Sequence, residues 1–412
     1  MKYLIIGAGA AAISAAESIR SVDKAGSITM LSAESVIPYG KPLISYLLSE
    51  KLSENKMFYR PQSFYKRLNI DIKLGSEVSK IDTKRKIVTT RQNKKYGYEK
   101  LLIASGSVPF VPPIGDLAKQ KNAFTFLTYG DMKKIKAAVN KESNVVIAGA
   151  GLVGLKAAEG LYGKVKNITV IDLADRIMAS VLDEEPAKII QNHIESKGIS
   201  FKFGVSIKSV RGKKITLSNG KDLPCDILVI AVGVRPGIAF LEGSGVKVEK
   251  GIVVDKNMQT SVKSVYAAGD CALSTDMLSK QKKVMALWPN AVLQGQVAGL
   301  NMADVKSEAA DALSMNAISF FGMQVMSAGI QEPKAHYLKN TKNALSRLKV
   351  NKDILEGFTL INNVARAGIY TDLIKNKTSL SALTYDIKIK DIALGVYPFE
   401  TRRKKLFGGG AQ

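Results

Sequence analysis

At 412 residues the chain is longer than one hydrophobic core usually serves, so two or three domains are expected. A hydrophobic content of 46% excludes disorder, and only two cysteines exclude a disulfide scaffold and fit a reducing, cytoplasmic setting. The net charge of +24, from 60 basic and 36 acidic residues, would attract an acidic protein, a nucleic acid or an anionic surface; without a zinc spacing or a nucleic-acid module the nucleic acid is set aside, and no apolar run reaches the ~18 residues of a membrane span.

The first strand is Tyr3-Leu4-Ile5-Ile6, and it runs straight into Gly7-Ala8-Gly9-Ala10-Ala11-Ala12. This is the G-x-G-x-x-small pattern of a strand turning into a helix around a pyrophosphate. Glycine allows the tight turn and the close approach, and the helix start supplies amides and a positive dipole end. A secretion leader is not expected, because cleavage there would remove the turn. Ser27 to Leu31 reads as the second parallel strand, with Glu34 just beyond it to accept a ribose diol. Glu34 stands slightly late, so Ser32 or a backbone group is expected to share that task. Strands over Leu74–Val78, Lys86–Thr89 and Tyr98–Gly106 lead back to the sheet, and Pro109, Pro112 and Pro113 then break the chain at a crossover.

A second unit repeats the plan. Asn144 to Ala148 is a strand, Gly149-Ala150-Gly151-Leu152-Val153-Gly154 a complete second fingerprint, and Asn167 to Ile171 the next strand, ending at Asp172. A bare aspartate there repels a 2′-phosphate, which favours NAD over NADP, although Arg176 is near enough in sequence to oppose it. A helix near Glu184 to Lys197 and a strand over Asp226 to Gly233 complete the unit. Ile252–Asp255 and Val265–Asp270 are expected to return to the first sheet. After about Asp311 no fingerprint recurs, and the alternation in Gly357–Ile361 suggests a mixed terminal domain. The expected fold is α/β, with two Rossmann-like three-layer dinucleotide-binding domains, residues 1–112 with 246–310 and residues 113–245. An α+β interface domain follows over residues 311–412.

These residues together resemble the FAD-dependent pyridine nucleotide oxidoreductases, in particular the NADH:rubredoxin reductase and ferredoxin-reductase-like branch. Besides the two fingerprints, the resemblance is carried by Pro38-Tyr39-Gly40-Lys41-Pro42-Leu43 with Ser45, Ala104-Ser105-Gly106, and Val232-Gly233-Val234-Arg235-Pro236. Tyr266-Ala267-Ala268-Gly269-Asp270 and Arg366-Ala367-Gly368-Ile369 complete it. It implies FAD against Gly7, Gly9, Ala10, Ala12, Glu34, Lys41, Pro42, Val78, Ala104, Ser105, Gly106, Gly269, Asp270 and Trp288. It implies NAD(H) against Gly149, Gly151, Leu152, Val153, Gly154, Asp172 and Gly233. In that reading Asp270 resembles the carboxylate that bonds the ribityl chain, Lys41 the base beside the flavin ring, and Trp288 the start of a helix aimed at its pyrimidine end.

Three departures qualify the resemblance. Ser35, Val36 and Ser45 stand where relatives with a redox disulfide or peroxidatic thiol carry cysteine, so thiol chemistry is not expected; Cys271 reads as a buried inert thiol. Lys156 replaces the branch's glutamate, so that Lys41 and Lys156 would both be cationic and raise the flavin potential, with Glu159 as a compensating acid. Tyr46 replaces a frequent lysine. The two histidines, His193 and His336, lie in no motif, and no metal site is expected. The resemblance implies hydride transfer from NADH to flavin N5 and one-electron delivery to an acidic iron-sulfur carrier, or to an iron-sulfur subunit of a larger complex, in a homo- or hetero-oligomer. A peroxide-forming NADH oxidase and a docking subunit with an impaired nicotinamide site are the alternatives.

Overall fold

In a computed structural model, residues 2–115, 117–331, 336–341, 343–389 and 392–407 are described. The chain divides into two compact units, one of Met1–Phe110, Leu127–Tyr129 and Val234–Ala312, the other of Val111–Phe126, Gly130–Gly233 and Leu313–Gln412.

The first unit is built on a parallel sheet. Its strands lie in the order Val265–Ala267, Lys100–Ile103, Tyr3–Ile6, Ile28–Leu31, Ile70–Lys73. Tyr3–Ile6 is central and wholly buried, as expected of a β-branched run in a sheet covered on both faces. The helix Ala10–Val22 covers the sheet with its alanine face, and its small side chains let a second helix, Trp288–Met302, come to backbone contact. A Cβ on Gly295 would sit 2.2 Å from the Ala11 carbonyl oxygen, and one on Gly299 2.4 Å from that of Ala15. These are the small-residue approaches that let helices touch backbone to backbone.

Two strand expectations change here. The segment from Leu74 is a turn through Gly75, whose φ is +66°, and pairing begins only at Val78. Ile252 makes isolated bridges to Val248 and Ala272, and only Val265–Ala267 joins the parallel sheet. The following Gly269 amide is held by Gln294 Oε1 at 2.8 Å instead of by a strand neighbour.

The second unit repeats the parallel order Ser200–Lys202, Asn167–Ile171, Asn144–Ala148, Ile227–Ile230, Ala123–Thr125. Its terminal part is a five-stranded antiparallel sheet. The order is Met315–Phe320, Met323–Gly329, Ile354–Ile361, Ala344–Asn351, His336–Thr341, with the helix Ala367–Lys375 packed on it. Arg347, 3% exposed, ties this sheet to the helix Glu184–Glu195 through Asp183 Oδ2 at 2.6 Å and Glu185 Oε2 at 3.7 Å. Among the described residues no helix is long and apolar enough to cross a membrane.

Candidate active site

The two glycine turns are the same device built twice. Gly7 has φ +102° and Gly149 φ +112°. Each amide donates to the neighbouring strand end, Leu31 and Ile171, at 2.8 Å. Each needs glycine because a Cβ would strike a carbonyl oxygen, Ala104 at 2.0 Å and Ala231 at 2.2 Å. The second glycines, Gly9 and Gly151, have nothing within 4 Å of where a Cβ would stand, and each is the extended N-cap of a helix that no side chain caps. Such a helix start, with no acidic side chain in its first turn, is a seat for phosphate. At the third position the turns differ: Ala12 is fully buried without conflict, whereas a Cβ on Gly154 would lie 1.9 Å from the Gly149 carbonyl oxygen. Gly106 and Gly233, at the ends of the opposing strands, have φ +69° and +122° and open space beside them. The residues present therefore fit one extended dinucleotide in each unit.

In the second unit the acid is pre-set against its turn. Asp172 Oδ2 accepts the Ala150 amide at 2.6 Å and Oδ1 the Ala174 amide at 2.8 Å. A carboxylate has about four lone-pair sites, so two backbone bonds leave capacity for a diol. Arg176 is engaged elsewhere: it pairs with Asp175 at 2.7 Å and donates to the Leu182 carbonyl at 3.3 Å. Leu152 and Val153 open the helix Leu152–Leu161, with Val153 exposed.

In the first unit Glu34 is held differently. It accepts the Tyr39 hydroxyl at 2.7 Å and lies 3.2 Å from Lys41 Nζ. The buried Ser32 hydroxyl donates to the Glu34 carbonyl at 3.1 Å and so orders the loop carrying Glu34. Glu34 and Lys41 thus stand side by side, so an extended FAD with its ribose at Glu34 has its flavin ring away from Lys41, against the placement of Lys41 that the resemblance implies. Pro42 follows in the short 3-10 turn Lys41–Leu43 and is exposed, while Val78 is buried in the core of this unit.

Asp270 accepts the Ser107 hydroxyl at 3.2 Å; burial pushes its carboxyl pKa up, against the pull of Ser107 and Lys41. Ala104 and Ser105 precede it across the sheet end, and Gly269 takes φ +82° beside it. Trp288 opens the helix Trp288–Met302 as expected, its ring edge-on to Tyr59 at 4.9 Å.

Lys156 is not a lone cation. It pairs with Glu159 and donates to the Ser319 carbonyl at 3.3 Å, and Glu159 Oε1 accepts the Phe321 amide at 3.1 Å. His193 Nε2 lies 3.2 Å from the Phe321 carbonyl, and the Phe321 ring packs edge-on to Tyr162 at 5.3 Å. Lys156, Glu159 and His193 thus clamp the Phe321 turn of the terminal sheet onto two helices. The double positive charge read from sequence is offset at both positions, by Glu34 at Lys41 and by Glu159 at Lys156. Sequence reasoning missed this clamp, whose one visible signal was the i, i+3 spacing of Lys156 and Glu159.

Both cysteines are free and fully buried, Cys271 in the first unit and Cys225 in the second. Burial raises both thiol pKa values, Cys225 to about 12. Burial thus disfavours the thiolate at both.

The fold and the paired turns define a two-dinucleotide flavoprotein, and the chain belongs to the pyridine nucleotide-disulphide oxidoreductase family, whose pattern matches residues 1–295. It is an NAD(P)H oxidoreductase of the ferredoxin-reductase-like branch, with FAD and NAD(H) as its cofactors. Among its relatives, the NADH-dependent phenylglyoxylate dehydrogenase subunit epsilon of Aromatoleum evansii is 30% identical over 407 residues, 96% of each chain. The rubredoxin-NAD(+) reductase of Pseudomonas putida is 30% identical over 319 residues, 75% of this chain and 82% of the relative. A chain of the crystallised covalent putidaredoxin reductase-putidaredoxin complex shares the fold with a TM-score of 0.85 at 21% identity, covering 92% of this chain and 94% of that one.

Proposed function

We propose that this chain is the flavin subunit or reductase that exchanges electrons between NAD(H) and an acidic iron-sulfur protein or iron-sulfur subunit. The observation that carries the reading is the pairing of two complete dinucleotide cradles with two cysteines that are each free and buried. Electrons that enter have no dithiol through which to leave, so the exit is by the flavin itself. Matching along almost the whole length of an epsilon subunit supports a place beside other subunits. The other residue assignments and the three-domain division set out from sequence are part of the same proposal.

Bound FAD supplies the step between two-electron and one-electron chemistry. The chain's own residues seat and orient. Gly149, Gly151 and the amides of Leu152, Val153 and Gly154 seat the NADH pyrophosphate, and Asp172 fixes the ribose. Gly7, Gly9, Ala10 and Ala12 do the same for FAD. Asp270, with Ser107, would hold the ribityl chain, and the helix opening at Trp288 would offer its positive end to the flavin. Catalysis here is positioning and preorganised electrostatics, with no side chain needed as a proton carrier.

The test is anaerobic. NADH should bleach the bound flavin, and the reduced protein should then reduce a purified ferredoxin or rubredoxin faster than it consumes oxygen. Bleaching with oxygen as the only acceptor would replace the proposal by a peroxide-forming oxidase, and failure to bleach by a docking role.

A further inference from the structure

Among the described residues, nothing covers one face of the helix Phe399–Phe407. At a helical turn of 100° per residue, Phe399, Arg402, Arg403 and Leu406 fall on one side, at i, i+3, i+4 and i+7. Phe399 is 64% and Leu406 54% exposed. The Arg402 guanidinium lies 5.7 Å from the Phe399 ring centre, and Arg403 is exposed beside it. The helix is nonetheless fixed. Lys405 pairs with Asp372 of the helix Ala367–Lys375 at 2.7 Å and lies 4.8 Å from the centre of the Tyr397 ring, whose hydroxyl also reaches Asp372, at 2.5 Å. One side of a two-turn helix is pinned to the terminal domain and another displays aromatic, aliphatic and guanidinium groups together.

We infer that this face of Phe399–Phe407 is the docking surface for an acidic protein, the iron-sulfur partner of the proposed function, on which this inference rests. Charge complementarity argues for that occupant, since the chain carries a net +24 and Arg402, Arg403 and Lys404 stand in consecutive positions. The mixture argues the same way. Arginine and aromatic side chains are enriched at the cores of protein interfaces, where a guanidinium meets a carboxylate with two hydrogen bonds. A helix lying on a membrane segregates its cations to the side opposite its apolar residues; here the two arginines sit between Phe399 and Leu406. Anchoring through Lys405 means that the partner meets a formed helix and does not have to order one.

The experiment uses the full-length holoprotein and two double variants, R402E/R403E and F399S/L406S, with a purified acidic ferredoxin as the probe. Stopped-flow reduction of the ferredoxin is followed at low and high salt, with NADH bleaching of the flavin as the internal control. Both variants should bleach as the parent does, while ferredoxin reduction at low salt falls about tenfold or more and R402K/R403K recovers much of it. Flavin absorbance and melting temperature confirm that each variant is folded. If the parent reduces ferredoxin and both variants match it, the docking assignment is wrong and the electron-transfer reading stands. If the parent is bleached by NADH yet reduces no iron-sulfur carrier, that reading falls and the docking proposal with it. Sedimentation of the parent but not the variants with phosphatidylserine vesicles, with unchanged ferredoxin reduction, would overturn it in favour of a membrane surface.

Discussion

Replacing Asp172 by alanine should change which nicotinamide dinucleotide the protein prefers. The carboxylate is held by the Ala150 and Ala174 amides at 2.6 and 2.8 Å, so it stands at the glycine turn before any ligand arrives. Two hydrogen bonds from a ribose diol to a charged acceptor contribute roughly 3 kcal/mol in total at the low end of the usual range, which is about a hundredfold in kcat/KM for NADH. For NADPH the sign reverses: a 2′-phosphate about 5 Å from a carboxylate at an effective dielectric near 20 is opposed by roughly 3 kcal/mol per unit charge before salt screening. Arg176 does not relieve this repulsion, because Asp175 and the Leu182 carbonyl hold it. The NADH-to-NADPH ratio of kcat/KM should therefore fall by about a thousandfold or more in Asp172→Ala, with flavin content unchanged. Asp172→Asn, which keeps an acceptor for one amide, separates loss of charge from loosening of the turn. The assay is anaerobic flavin bleaching by each nucleotide, and a ratio that stays within about threefold of the parent would refute the role given to Asp172.

Other perturbations test the remaining physics. Arg347→Met strands Asp183 at a helix start inside the second unit, and breaking a buried pair in this way costs about 3–5 kcal/mol; urea unfolding that shows under about 1 kcal/mol would mean solvent reaches the pair. Asp270→Asn should release flavin yet stabilise the flavin-free protein at neutral pH. Burial raises the folded carboxyl pKa above its unfolded value, so stability is lost as pH rises through the folded value. The asparagine gain should accordingly shrink toward zero near about pH 4, and a gain independent of pH in chemical denaturation would contradict the argument. Cys225 and Cys271 should resist a thiol reagent at about pH 8 in the folded protein and react once urea is added, because burial keeps both protonated; rapid labelling of the native protein would refute it.

Much of the fold was legible because the strongest signals are local. Tyr3–Ile6 and Asn144–Ala148 announce buried parallel strands by β-branched and aliphatic runs, and each is punctuated by a glycine whose positive φ few other residues tolerate. The helix start at Trp288 came from the family resemblance, and Pro289 in its first turn suits that position. What stayed hidden depends on partners far along the chain. Nothing local to Lys156 says that its neighbours include Ser319, and nothing around Glu34 fixes whether Lys41 reaches toward it or away. The Leu74–Val78 segment was misread partly for the same reason. Its alternation suits a strand, but Gly75 and the backbone bond from its amide to the Glu34 carbonyl make it a turn.

The contact between Ala10–Val22 and Trp288–Met302 pairs Ala11 with Gly295 and Ala15 with Gly299, so the two helices run in the same direction. Trp288 stands seven residues before Gly295, whereas Ala10 stands one before Ala11, a difference of six residues or about 9 Å of helix. Two positive helix ends are therefore staggered by a distance that side-chain repacking cannot alter, since it is set by main chain against main chain. The first unit acts as a gauge: a ligand that reaches both positive ends must span this axial offset in addition to the sideways separation of the two helices, and a shorter one meets only one end.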